Sequence, residues 1–196
     1  METGRVEALS RRALAFYYGR CRSHVGWLQD GVLLLPTDVP GGFAAELIGM
    51  EMSGDITCAL EQTGGIECWG YNRDGALGDG TTLPRWTPGP VKGLPAPAVA
   101  LAAGAYFQCA LLQSKQVMCW GRNDQGQLGD GTNTSRSTPK AVVGLPTDIA
   151  AISCGWHCCV IRTSGEVMCW GENTHGQLGD GTHRSSSVPV RVLGLP

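Results

Sequence analysis

The nine cysteines of this chain are its residues best suited to covalent or metal chemistry, and six of them fall into a pattern. Cys58 and Cys68, Cys109 and Cys119, and Cys159 and Cys169 each stand ten residues apart. If the members of a pair face each other on a hairpin, their Cα atoms come about 4.5–5.5 Å apart, inside the range a disulfide tolerates. The spacing therefore predicts one disulfide per hairpin; the alternative is three pairs of small buried thiols that pack like alanine. Cys21, Cys154 and Cys158 are left over. The run Cys154-Gly-Trp-His-Cys-Cys159 resembles a metal-ligand cluster at first sight. Neighbouring strand residues point to opposite faces, however, so Cys158 and Cys159 do not readily share a tetrahedral ion, and no metal is expected.

Other catalytic chemistry finds little support. The chain has four histidines (His24, His157, His175 and His183) and lacks the Gly-x-Ser-x-Gly, phosphate-loop and His-Glu-x-x-His patterns. No catalytic residue and no cofactor are expected, and the chain is not read as an enzyme. The aspartates Asp130 and Asp180 could suggest calcium, but the spacing of an EF-hand and its bidentate glutamate are missing. Charge is nearly balanced, 15 basic against 17 acidic side chains with no like-charge run, which argues against a nucleic-acid surface. No apolar run approaches the roughly 18 residues needed to cross a bilayer, so no membrane association is expected. Ser10-Arg11-Arg12 followed by Ala-Leu-Ala-Phe hints at a twin-arginine signal, but Arg20 and Arg22 interrupt its apolar core, and no targeting signal is read. Paired cysteines favour an oxidising setting, secreted or at the cell surface, and without a visible signal the localisation stays open.

The elements that position these residues repeat. Cys-Trp-Gly occurs at Cys68, Cys119 and Cys169, followed each time by Leu-Gly-Asp-Gly-Thr and, later, by Gly-Leu-Pro at Gly93, Gly144 and Gly194. Corresponding residues are 51 and then 50 positions apart, which defines units over 44–94, 95–145 and 146–196. The first 43 residues are atypical: a short amphipathic helix is consistent with Val6 to Tyr18, and Gly26 to Phe43 reads either as a degenerate half-unit or as an unrelated cap. In the third unit, Ile149–Ser153, Trp156–Ile161 and Val167–Trp170 read as strands, with a hairpin turn near Ser164 and Gly165. Ile56 to Leu60 is small or apolar on both faces, as expected of a strand between two other layers, and stacked small sheets of a propeller supply that setting. The 29 glycines serve tight turns, with Leu77, Leu128 and Leu178 anchoring the repeated turn in the core. The expectation is an all-β, partial β-propeller of about three to four blades built from ~50-residue repeats.

These residues resemble the regulator-of-chromosome-condensation repeat family, whose pattern runs Trp-Gly-x-Asn-x-x-Gly-Gln-Leu-Gly. Here it reads Trp69 to Gly78, Trp120 to Gly129 and Trp170 to Gly179. The resemblance implies blades of four antiparallel strands in a ring, normally of seven, and makes Trp69, Trp120 and Trp170 core positions. Three units are too few to close such a ring, which implies either a fragment of a longer gene product or a half-ring that needs a partner, self-association being one route to completion. The family's glycine before the second strand is kept at Gly104 but replaced by Ser53 and Cys154, and its following histidine survives only at His157.

The leading functional expectation is a scaffold that binds a protein partner through loops that vary between copies. Thr81–Trp86, Thr132–Ser137 and Thr182–Ser187 differ while the frame does not, which singles out Arg85, Trp86, Arg136, His183 and Arg184. Two alternatives come from the resemblance: guanine-nucleotide exchange on a small GTPase, and ultraviolet sensing by tryptophans, the latter loosely echoed by Gly155-Trp-His-Cys.

Overall fold

The computed structural model describes residues 46–195. The N-terminal helix and half-unit inferred above lie outside them. Eleven strands run in chain order: β1 (Leu47–Ser53), β2 (Ile56–Glu61), β3 (Ile66–Gly70), β4 (Ala98–Gly104), β5 (Phe107–Leu112), β6 (Val117–Gly121), β7 (Arg136–Ala141), β8 (Ile149–Cys154), β9 (His157–Arg162), β10 (Val167–Gly171) and β11 (Ser186–Arg191). They form three antiparallel meanders, β1-β2-β3, β4-β5-β6-β7 and β8-β9-β10-β11, which are blades 1, 2 and 3. The sheets do not close into a ring.

The three strands expected in the third unit are all present, and Gly165 turns the β9–β10 hairpin at a φ of 88°. Boundaries differ by one residue: β8 extends to Cys154, β9 runs from His157 to Arg162, and β10 extends to Gly171. Trp156 belongs to the β8–β9 turn and not to β9, and it is 57% exposed. The outer strands β7 and β11 fall in the Thr/Ser/Pro-rich stretch, so part of each variable segment (Arg136 and Ser137; Ser186 and Ser187) is strand and not loop. Each pairs on one side only, with β6 or β10, which is why Pro139 and Pro189 are tolerated there. In blade 1 the outer strand is reduced to two isolated bridges, Gly70 to Arg85 and Glu67 to Pro90.

All three predicted cysteine pairs are directly opposed and bonded: Cys58–Cys68, Cys109–Cys119 and Cys159–Cys169, each with Cα atoms 4.1 Å apart. They are slightly closer than the roughly 4.5–5.5 Å expected of opposed antiparallel residues. A fourth disulfide, Cys154–Cys158, joins β8 to β9 and was not anticipated.

Blades stack through their faces and through a specific latch. Trp120 of blade 2 is fully buried and its indole Nε1 donates to the carbonyl of Ala76 in the blade 1 turn at 3.0 Å. Trp170 of blade 3 does the same to Gln127 of blade 2, also at 3.0 Å. Gly78 and Gly129 make this approach possible: both have positive φ (66° and 64°), and a Cβ at either would stand 2.8 Å from the indole nitrogen. Leu77, Leu128 and Leu178 are 0% exposed, as expected of loop anchors. Trp69 of blade 1 is only half-buried.

Candidate functional site

The meander sorts the connections onto two faces. One face carries the turns between the first and second strands of each blade (residues 54–55, 105–106 and 155–156) together with the long connections after the third strands (71–84, 122–135 and 172–185). The other carries the second-to-third strand turns and the links between blades. Every residue singled out from the variable segments belongs to the first face or its margin.

A repeated polar hub fixes the long connections. Asn72, Asn123 and Asn173 are fully buried, and each side-chain oxygen accepts from the amide of the leucine five residues on, at 2.9 Å. Their Nδ2 groups donate to the carbonyls of Thr81 and Leu83, Thr132 and Thr134, and Thr182 and Arg184. Asp79, Asp130 and Asp180 each accept from the backbone amide and hydroxyl of the threonine two residues on. Burial opposes ionisation of Asp79 and Asp130, but hydrogen bonds from Thr81 and Thr132 and the nearby Arg85 and Arg136 outweigh it and hold both below the usual aspartate value. Asp180 is lowered by its Thr182 hydrogen bonds. These aspartates act as turn chemistry.

On this frame the candidate binding residues divide. Arg85 folds inward: Nε and Nη2 donate to the Cys68 carbonyl at 3.3 and 2.8 Å, Nη2 also bonds Gly89, and Nη1 pairs with Asp79 at 3.4 Å. Its guanidinium ties the reduced outer segment of blade 1 to β3. Arg136 likewise pairs with the buried Asp130 at 2.9 Å. Trp86 is 81% exposed, and His183 and Arg184 are exposed as well. Sequence reasoning missed three aromatic side chains on the same face. Trp156 is exposed, while Tyr71 and Tyr106 meet edge to face with ring centroids 6.2 Å apart. The two tyrosines line a concavity between blades 1 and 2 with Asp55, Arg73, Asp74 and Arg122. The signal was available in the alignment of units, which puts Trp156 and Tyr106 at one position, that of Asp55.

Fold and loop scaffold together define a β-propeller repeat protein. The Regulator of chromosome condensation (RCC1) repeat pattern matches residues 64–111, 116–161 and 164–196, and the chain belongs to that family. Among relatives, it is 35% identical over 111 residues to the human E3 ubiquitin-protein ligase HERC2, covering 56% of this chain and 2% of that protein. It is 31% identical over 132 residues to the mitochondrial RCC1 domain-containing protein RUG3 of Arabidopsis thaliana, covering 62% of this chain and 29% of the relative. Solved structures agree on the fold. Yeast RCC1 (Prp20), crystallised with Kap60, superposes with a TM-score of 0.70 at 20% identity over 81% of this chain and 40% of its own. Human WBSCR16 gives 0.70 at 22% identity over 78% and 39%. The chain thus spans a small part of the curated relatives it matches.

Proposed function

We propose that this chain is a non-catalytic propeller scaffold that docks a protein partner on the face bearing the first-to-second strand turns. The observation that carries this reading is the gathering of Trp86, Trp156 and Tyr71 on that one face, 81%, 57% and 37% exposed. Aromatic side chains and arginines, here Tyr71 beside Arg73 and Arg122, are the groups that most often dominate binding energy at protein interfaces. Tyr71, Arg73, Arg122 and Arg184 sit on connections held by buried asparagines, so this part of the face is ordered before it meets a partner, which lowers the ordering cost of association. Arg85 and Arg136, paired with Asp79 and Asp130, brace the segments that carry these side chains.

The test is site-specific photo-crosslinking in the cell of origin, with the crosslinker placed at 86, at 156 or, as a control on the opposite face, at 115. Adducts of one common mass at 86 and 156 but not at 115 are expected. Adducts at 115 alone would move the docking surface to the other face.

The second reading, exchange on a small GTPase, draws on yeast Prp20p, a structural neighbour described with its binding properties to Gsp1p and histones. That likeness reaches this chain through the fold alone. Absence of accelerated nucleotide release across a panel of small GTPases would remove it. Ultraviolet sensing, suggested by 33% identity over 97 residues to the Arabidopsis ultraviolet-B receptor UVR8 (48% of this chain, 22% of the receptor), would require a light-dependent change of oligomeric state.

A further inference from the structure

Unit three departs from its sisters at two neighbouring positions. Cys154 stands where the other units hold Ser53 and Gly104, and Cys158 where they hold Thr57 and Gln108. The blade frame forms without sulfur at either place. In blade 3 the two residues face each other across β8 and β9, on the side that packs against blade 2. What they meet there is the regular Cys109–Cys119 pair. Cys109 Sγ and Cys158 Sγ are 3.6 Å apart, and the sulfurs of Cys109, Cys154 and Cys158 all lie within 4.8 Å of one another. Cys109, Cys119 and Cys158 are 0% exposed, whereas Cys154, at the end of β8, is partly open.

Two opposed cysteine pairs thus touch across the seam between blades. A disulfide needs two sulfurs; here three converge and a fourth is bonded to one of them. In a tetrahedral zinc thiolate with Zn–S of about 2.3 Å, neighbouring sulfurs are separated by roughly 3.8 Å. The Cys109–Cys158 separation is close to such an edge. Cys158 and Cys159 do point to opposite faces, as the sequence implied, with Cys159 committed to Cys169. The third sulfur comes from blade 2, about fifty residues earlier, where a local reading of the segment could not find it.

We propose that, once its two disulfides are reduced, this cluster is a site for a thiophilic divalent cation of the zinc class, held between blades 2 and 3. Cys109, Cys154 and Cys158, whose sulfurs already converge, are its ligands. Two dithiol reductants supply four electrons and four protons to the two disulfides, yielding four thiols and two oxidised dithiols. The cation then displaces the protons of the Cys109, Cys154 and Cys158 thiols and binds those three thiolates, with solvent completing the tetrahedron. Soft sulfur ligands select such an ion over magnesium or calcium. Oxidation reverses the sequence and releases the metal, so occupancy follows the thiol redox state.

The experiment is a cobalt titration of the full chain, reduced with a phosphine that is then removed anaerobically. Reduced protein is expected to take up one Co2+ with the ligand-field bands of a tetrahedral thiolate complex, bleached by an equivalent of Zn2+; oxidised protein should take up none. Four double variants separate this site from the other thiols. C154G/C158Q, which installs the residues of unit two, and C109A/C119A should lose the bands. C58A/C68A and C159A/C169A should keep them. Absence of tetrahedral bands in the reduced chain, bands that persist in C154G/C158Q, or loss in all four variants would overturn the proposal.

Discussion

β5 and β9 occupy the same place in successive blades, yet they meet different surroundings. Every residue of β5 (Phe107–Leu112) is buried, while β9 (His157–Arg162) alternates, with Ile161 47% exposed. The difference is the neighbour. Among the described residues blade 2 is covered on both sides, and blade 3 on one. β1 on the far side of blade 1 repeats the lesson: Ile48, Met50 and Met52 are 54%, 43% and 40% exposed. A propeller blade is apolar on both faces but too thin to bury either by itself, so its stability belongs to the stack.

That contrast can be broken at the tryptophan latches, where the largest effect is expected. Trp120→Ala and Trp170→Ala each remove a fully buried indole and its hydrogen bond, and should cost about 3–5 kcal/mol in chemical denaturation. The half-buried Trp69 should cost less than half as much when changed to alanine. Equal losses at all three positions would mean that packing between blades is not what separates them.

The loop hubs give a smaller effect. Asn123→Ala leaves the Leu128 amide and the Thr132 and Thr134 carbonyls without their partner, a loss of about 1–3 kcal/mol. Asn173→Ala, in the blade with one open face, should fall at the lower end of that range because water can reach its groups more easily.

Smaller still, and of opposite sign, is the expected result of Gln108→Met. This side chain is 0% exposed within the covered blade, and neither its Nε2 nor its Oε1 has a partner among the described residues. An apolar chain of similar length should raise stability by about 1 kcal/mol, measured as a higher denaturation midpoint. A fall would show that the amide is satisfied in solution.

The mildest change is with acid. Asp130 and Asp180 both have lowered folded-state pKa values, so their contribution is in place above the unfolded aspartate value of about 3.9 and fades as pH falls through the folded values. Carboxyl titration by NMR, alongside melting between about pH 5 and 2, should show stability falling with protonation. A melting temperature that holds steady while both aspartates protonate would break that link.

Much of the frame was readable from spacing alone. The Cys-Trp-Gly to Leu-Gly-Asp-Gly-Thr period fixed the units, and the ten-residue cysteine separation fixed three hairpin registers. The outer strands were hidden because Arg136–Ala141 and Ser186–Arg191 carry Ser, Thr and Pro, which read as loop, and edge pairing tolerates them. The Cys154–Cys158 bond was missed through two one-residue errors, ending the first strand at Ser153 and starting the next at Trp156, which concealed the tight turn that opposes the two cysteines. The proposed docking face was half legible. Trp86 could be picked out by variation between units, but Arg85 looked equally available, and only three-dimensional placement shows it turned inward onto Cys68 and Asp79.

The latch also sets a schedule for the growing chain. The carbonyl of Ala76 is capped by a tryptophan 44 residues later, and that of Gln127 by one 43 residues later. At roughly 5–20 residues per second on the ribosome, each new blade waits about 2–9 seconds with its leucine turn unsealed before the next brings its plug. Sealing therefore proceeds in one direction only, from the amino-terminal side onward, and a pause in translation just before Trp120 or Trp170 would lengthen the interval in which a nascent blade is open to chaperones or to wrong partners.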